Sequence, residues 1–410
     1  MKVLHLSQYV YFPELDSYDR NNSGLGYMIA EITEYIARKD IEVDLLTQSG
    51  ITKGMNHKGI NFIHKTYKDI LLNATPAVIN KGMKNARSAK LSFAYGFRII
   101  GYYAVARYAM SIINKEHPDI VHIHGLGFAG MAFIEACDKC EVRYLVTLHG
   151  LIGLDESVSI SGYEKDYEKK FLTKSEQKNI PVTVISSGIK QRILKYYNLK
   201  NGNNIHVICN GTGMSHVQYE AEDIRKKYGI SADAQVLVTI GNVSINKNQV
   251  QAVRAYFGLS DEIRNNTYLL ILGNDDKGII TNELMNHMKT DKIIQCGYVE
   301  RESVPNYMKI ADLNVFLSLN EGFGLSMIEC MAFGVPTVTF GDLDAIPDIY
   351  DQNVIVLCPD RNDVTVSKAI GEALNKKWNK EYILKFCEKF SLESMADKYI
   401  DIYNKIIGEE

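Results

Sequence analysis

The sequence predicts an α/β protein built from two doubly wound, Rossmann-like domains. Short apolar runs of strand length alternate with helical patterns from end to end, which is how parallel sheets covered on both faces read. The alternation breaks once, at a cluster of turn residues, and then starts again. At 410 residues the chain is also too long for one core and suits two domains of about 200 residues each.

Each element follows from its local pattern. Val3 to Ser7 reads as the first strand, and Val43 to Gln48, Ile120 to Gly125, Tyr144 to Gly150, Pro181 to Ser187 and Ile205 to Gly211 complete the first set. Asn210-Gly211-Thr212-Gly213 gathers turn residues at a strand end, and an acidic-basic helix over Glu220 to Tyr228 opens beyond it, which marks a hinge. The second set is Val236 to Asn242, Tyr268 to Asn274, Ile293 to Val299, Asn314 to Asn320, Pro336 to Asp342 and Val354 to Cys358. We therefore expect an N-terminal domain over 1–212 and a C-terminal domain over 213–390. Open parallel sheets bind ligands beyond the carboxyl ends of their strands, so two such domains facing each other predict a site in the cleft between them.

Composition narrows the class. A net charge of −3 gives no global pull toward nucleic acid or an anionic membrane, so any such attraction must be local. Seven cysteines scattered through apolar segments suit a reducing compartment better than a disulfide framework. Cys137-Asp138-Lys139-Cys140 is a lone CxxC and reads as two helix-end thiols, not a zinc site. The N-terminus runs straight into a strand and leaves no room for a signal-peptide core, and no apolar run nears the roughly 18 residues needed to cross a bilayer. A cytoplasmic protein is expected. One stretch stands apart: from Ile70 to Lys115 there is no carboxylate but seven cations. Lys81, Lys84, Arg87 and Lys90 recur at every third position and would form a stripe on a helix near Leu91, Phe93, Tyr95 and Phe97. The two readings are a peripheral contact with the inner face of a membrane and a solvated face.

The chemistry is concentrated in Asn320-Glu321-Gly322-Phe323-Gly324-Leu325-Ser326-Met327-Ile328-Glu329. Here a strand hands over to a helix through a glycine turn. Backbone N–H groups at a helix N-terminus favour phosphate, the glycines permit close approach, and Glu329 about one turn inside can reach a sugar hydroxyl. An acid flanked by Met327, Ile328, Cys330 and Met331 would be costly to bury without a partner, so a polar ligand is the economical explanation. Gly24 and Gly26 form a second glycine turn ahead of a helix over Tyr27 to Arg38. His122 and His124 alternate on one strand and share a face; lacking a third ligand of suitable spacing, they read as structural histidines. Asp342-Leu343-Asp344 imitates a metal-binding DxD but follows a strand and reads as loop chemistry.

In order and spacing these motifs resemble the family 4 retaining glycosyltransferases of the GT-B fold. The resemblance covers nearly the whole chain: Asn22 to Gly26, His117 to Gly125, Thr147 to Gly150, Cys209 to Met214, Ile240 to Gln249, Cys296 to Val299, the two-glutamate motif, and the closing Phe390 to Ile407. It implies that the final helix, within 391–410, crosses back onto the N-terminal domain. It implies a nucleotide-diphosphate sugar as co-substrate, a carbohydrate or lipid-linked acceptor bound by the N-terminal domain, and neither metal nor cofactor. Lys247 would sit on the donor diphosphate and stabilise the leaving group. Glu321 would accept hydrogen bonds from donor-sugar hydroxyls, backbone N–H groups from Gly322 through Phe323 and Gly324 to Leu325 and Ser326 would meet sugar and phosphate, and Glu329 would hold the ribose. Tyr298 and Val299 would meet the base through their backbone, Gly24 and Gly26 would lie over the diphosphate, and His149 would approach the transferred sugar. One position departs from the family, since Asn242 stands where an arginine is usual; Arg20 or another cation would have to compensate. Two alternatives stay open at this stage: a nucleotide-sugar epimerase of the same fold, and a nucleotide-sugar-binding protein without catalysis.

Overall fold

The computed structural model describes residues 1–12, 14–15, 24–48, 54–154, 162–214, 217, 220–285 and 290–408. It divides into two compact units, Met1–Asn210 together with Leu392–Glu410, and Gly211–Ser391.

Among the described residues the first unit is built on eight strands: β1 (Lys2–Ser7), β2 (Glu42–Thr47), β3 (Met55–His57), β4 (Ile60–Phe62), β5 (Ile120–His124), β6 (Tyr144–Leu148), β7 (Val182–Val184) and β8 (Ile205–Val207). Their order in the sheet is β3-β4-β2-β1-β5-β6-β7-β8. Every pairing is parallel except the edge hairpin β3–β4. The sequence pattern missed this hairpin because each strand has only three residues, too few for a period to register. Its turn is nonetheless visible in retrospect: Lys58 and Gly59 both take positive φ, 51° and 81°, as a two-residue hairpin of type I′ requires. The central strands are buried along their whole length, β5 and β6 at every residue, because helices cover both faces.

The last helix of the chain, Leu392–Ile407, packs in this first unit, although the segment before it in sequence belongs to the second. It is amphipathic, burying Leu392, Met395, Ala396, Tyr399, Ile402 and Tyr403 at the spacing of one helical face. The buried stripe is not purely apolar. Tyr403 Oη lies 2.6 Å from His122 Nδ1, and Thr147 Oγ1 donates to Tyr399 Oη at 3.5 Å. Polar groups brought into a core must find partners, so these tyrosines fix the helix in one register on the sheet.

The second unit holds β9 (Gln235–Ile240), β10 (Thr267–Leu272), β11 (Ile293–Gly297), β12 (Leu313–Val315), β13 (Thr337–Phe340) and β14 (Ile355–Cys358). The order β11-β10-β9-β12-β13-β14 is parallel throughout. All twelve strands read from the sequence are present, though several stop short of their expected ends. The clearest case is β12, expected to run to Asn320. The backbone N–H groups of Leu319 and Asn320 bond the main-chain and side-chain oxygens of Asn246, at 2.7 and 3.1 Å, in place of a neighbouring strand. Where the unit begins and ends, Thr212 N–H donates to Phe390 C=O at 2.8 Å. Among the described residues no helix is long and apolar enough to cross a membrane.

Tyr403→Phe removes the hydroxyl that meets His122 inside the core and leaves that ring nitrogen unpaired. We expect a loss of about 1–3 kcal/mol in denaturant unfolding, whereas Tyr196→Phe at an exposed position should change nothing measurable. Equal midpoints for the two variants would show that the buried bond does not hold the helix.

Candidate active site

Beyond the carboxyl ends of β9 and β12, which are neighbours in the sheet, two loops are fastened to each other. The first runs from Gly241 into the helix Gln249–Phe257. Gln249 is buried; its amide donates to Gly241 C=O at 2.9 Å and Asn242 C=O at 3.3 Å, and its oxygen accepts from Ser244 N–H at 3.3 Å. Asn246 then spans to the second loop through the two bonds already described and a third, from its amide to Asn320 C=O at 2.9 Å. These contacts leave Lys247 little choice of direction. Its ammonium pairs with the carboxylate of Glu321 and lies 5.5 Å from the centre of the Phe316 ring. Neither Gln249 nor Asn246 was singled out for this role in the sequence, although both lie within the Ile240 to Gln249 motif.

The Glu321 to Ser326 turn leads into the helix Leu325–Met331. Gly324, at φ 81°, caps it in the left-handed region, and a Cβ there would stand 2.5 Å from Met327 Cε and 3.0 Å from Phe316 Cζ, so a side chain is excluded twice over. Gly322 and Ser326 flank the turn. The Phe323 side chain is only 1 % exposed and sits edge-on to Phe390, so this residue belongs to the core and offers a ligand its backbone alone. Leu325 and Ser326 begin the helix, where N–H groups lack intrahelical acceptors.

Glu329 is buried, at 6 % exposure, but it is not without a protein partner as the sequence suggested: Arg301 Nη1 donates to its Oε1 at 3.2 Å. Arg301 lies just past β11, and no local pattern ties it to an acid 28 positions later. Tyr298 is exposed, its hydroxyl bonding Glu300 Oε2 at 3.2 Å, while Val299 packs partly against the core. Asn242 is exposed and engages Gln249 through its backbone oxygen. Arg20, named as a compensating cation, lies outside the described residues, as do Asn22 and Ser23. Asp342 of the DxD imitation accepts from Arg361 at 2.8 and 3.0 Å, an ion pair within the loop.

In the first unit Gly24 and Gly26 do not form a turn ahead of a helix; the helix Gly24–Ala37 already contains both. The expected start was late because glycine reads as a breaker, yet in a first turn no i−4 acceptor is required of it. His149 directly follows β6. Its Nε2 lies 3.3 Å from His124 Nδ1 with the rings stacked, and burial lowers its pKa to about 4. The loop after it is held by Glu168, fully buried, which accepts from the N–H groups of Ile152 at 2.8 Å and Gly153 at 2.9 Å and from the Tyr197 hydroxyl.

The basic residues do not make one helical stripe. Lys81 is ion-paired with Glu135 and lies over the Tyr103 ring, and Lys90 falls beyond the end of the helix Pro76–Ser88 with φ 55°. Lys84 and Arg87 are exposed on that helix. The helix packed beside it, Phe93–Glu116, exposes Phe93 and Phe97 at 67 % and 59 %.

Comparison with known proteins gives the chain its family. Residues 22–215 match the family model described as Glycosyltransferase Family 4, and residues 220–391 match Glycosyl transferases group 1. The chain is 22 % identical over 317 residues to N-acetyl-alpha-D-glucosaminyl L-malate synthase of Bacillus anthracis, a match covering 75 % of this chain and 80 % of that enzyme. Sucrose-phosphate synthase from Thermosynechococcus elongatus superposes with a TM-score of 0.75 over all of both chains at 16 % identity. Anabaena HepE, solved in complex with UDP and glucose, gives 0.65 at 12 % identity, covering 99 % of this chain and all of its own. Two parallel-sheet units and two family models that meet near the boundary between them lead to one assignment: the protein belongs to the family 4 glycosyltransferases and has the GT-B fold.

Proposed function

We propose that this glycosyltransferase moves a sugar from a nucleoside-diphosphate donor to an acceptor hydroxyl with retention of anomeric configuration and without a metal ion. The observation that carries the reading is the Lys247–Glu321 ion pair, held at the carboxyl edge of the second sheet by Asn246 and Gln249. A diphosphate entering there would take over the lysine, and Glu321, released from its cation, would accept hydrogen bonds from the donor sugar. Lys247 then neutralises charge on the departing phosphate oxygen, which is the work a metal would otherwise do. N–H groups from Gly322 to Ser326 add donors at the helix start. Glu329 keeps one oxygen on Arg301 and turns its remaining capacity to ribose hydroxyls, and Arg301 brings a second cation to a site that has Asn242 where its family has arginine. Tyr298 and Val299 meet the base.

For the chemical step we favour attack from the face of the leaving group. The acceptor oxygen bonds to the anomeric carbon as the bond from that carbon to the phosphate oxygen breaks, and the acceptor proton passes to the departing phosphate. Such a path asks the protein for positioning and charge rather than for a nucleophile. We assign His149 a role toward the transferred sugar on the family pattern alone. We assign the acceptor side to the first unit, where exposed Phe93 and Phe97, and exposed Lys84 and Arg87 on the helix packed against theirs, support peripheral contact with an anionic membrane and a lipid-linked or surface glycoconjugate acceptor. Each cation near such a leaflet contributes about 1 kcal/mol.

Lys247→Ala should lower kcat by about 100-fold or more while the unfolding temperature stays put, and the native enzyme should work undiminished in chelator. NMR of the product should show the donor's anomeric configuration. An inverted product, or activity abolished by chelator and restored only by a divalent ion, would reject the mechanism. Separately, replacing Lys81, Lys84, Arg87 and Lys90 by glutamine should weaken sedimentation with anionic vesicles at low salt and leave nucleotide-sugar binding unchanged. Equal sedimentation of parent and variant would make this a solvated face and point to a soluble acceptor.

A further inference from the structure

Beneath His149 the first sheet buries three more histidines. The parallel register sets His5 of β1 opposite His122 of β5, and His124 opposite Thr147 of β6, so side chains from neighbouring strands gather on one face. They form a file. His149 Nε2 is 3.3 Å from His124 Nδ1, and His124 Nε2 is 3.0 Å from His5 Nδ1, with both pairs of rings stacked. The file ends at His5 Nε2, which is buried and has no hydrogen-bond partner among the described residues. His122 stands beside the file, both of its nitrogens occupied, by the Tyr403 hydroxyl at 2.6 Å and Thr147 Oγ1 at 2.7 Å. His5, His122 and His124 also have the proximity of a metal triad, with ligand atoms within 4.8 Å of one another. However, five of the six ring nitrogens of this triad, all but His5 Nε2, are engaged with other histidines or with hydroxyls at hydrogen-bond distances, which favours the bonded file.

Burial holds these rings neutral: the pKa of His5 falls to about 3, and those of His122 and His124 lie well below the usual value. A neutral imidazole carries one N–H and one lone pair. Each link of the file needs one of each, so only two arrangements keep both links. In one, all three rings are protonated at Nδ1: His5 donates to His124, His124 donates to His149, and the outer Nδ1–H of His149 remains a donor. In the other, all three are protonated at Nε2, donation runs inward, and the buried Nε2–H of His5 has no acceptor among the described residues. Orphaned buried N–H groups are rarer than under-used acceptors, so the first arrangement is favoured.

We propose that His124 and His5 are positioning residues that hold His149 in its Nδ1–H tautomer, so that His149 meets its ligand as a hydrogen-bond donor and not as a base. The ligand class is a sugar hydroxyl or ring oxygen, a part of the inference that rests on the transfer reading above. The tautomer itself does not.

Long-range 1H–15N spectra of histidine-labelled protein at neutral pH, with the His149 signals identified by comparison with His149→Gln, read the tautomer without any substrate. The native protein should show His149 protonated at Nδ1. His124→Leu should shift it toward Nε2–H, whereas His124→Asn, which retains an N–H near the Nδ1 position, should restore the native state. In a donor-transfer assay His124→Leu should lose about tenfold in kcat with donor KM nearly unchanged, and His124→Asn should recover it. His149 protonated at Nε2 in the native protein overturns the proposal even if no variant folds, as does one equivalent of tightly held metal in the purified protein. A correct tautomer without transfer from any nucleotide sugar would instead refute the functional reading alone.

Discussion

The ion pair between Lys247 and Glu321 is the interaction on which the proposed site depends. Its members come from loops after β9 and β12, strands that lie side by side in the sheet although 74 residues separate the charges in sequence. Both side chains are partly exposed, so their attraction in solvent adds at most about 1 kcal/mol to stability. That weakness suits a site that must exchange a partner. A fully buried pair would resist separation, whereas the proposed exchange of lysine to phosphate and of glutamate to a sugar hydroxyl asks little of a partly exposed one. Asn246 and Gln249 supply the rigidity the pair lacks, since their hydrogen bonds are largely to backbone and persist when the charges change partner.

The two units meet the problem of polar groups near their strands differently. In the second, the sheet buries short polar side chains, with Asn314 Nδ2 donating to Thr337 Oγ1 at 3.2 Å and Thr239, Thr267 and Thr339 also buried on its strands, while Lys247 and Glu321 lie in loops beyond it. In the first, the sheet itself carries His5, His122, His124, Thr147 and Thr183 in its interior, and the returning helix Leu392–Ile407 supplies Tyr399 and Tyr403 to the same network. A chain segment contributed from the far end of the sequence thus completes the hydrogen bonding under His149.

How much of this could be read in the sequence varies with the range of the signal. The order of strands in each half was legible because fully buried parallel strands form continuous apolar runs, as in Ile120 to Gly125 and Val236 to Asn242. The hairpin β3–β4 was not, being too short for periodicity. Gly324 and the two glutamates were legible from local spacing. The roles of Arg301, Asn246 and Glu168 were not, because each acts on a residue far away in sequence whose position only the fold supplies. Glu329 shows the same limit from the other side: its apolar neighbours announced burial correctly, but not the arginine that makes burial tolerable. The stripe at Lys81, Lys84, Arg87 and Lys90 failed for a local reason, since its helix ends before Lys90, and for a distant one, since Glu135 claims Lys81.

On the proposed reading Lys247 receives the second phosphate of a nucleotide. Calorimetric titration of nucleoside diphosphates against the matching monophosphates, for the native protein and for Lys247→Ala, tests it most directly. We predict that the native protein prefers the diphosphate at least about tenfold, equivalent to about 1.4 kcal/mol, and that the preference vanishes in the variant while monophosphate binding is retained. An undiminished diphosphate preference in Lys247→Ala would contradict the account.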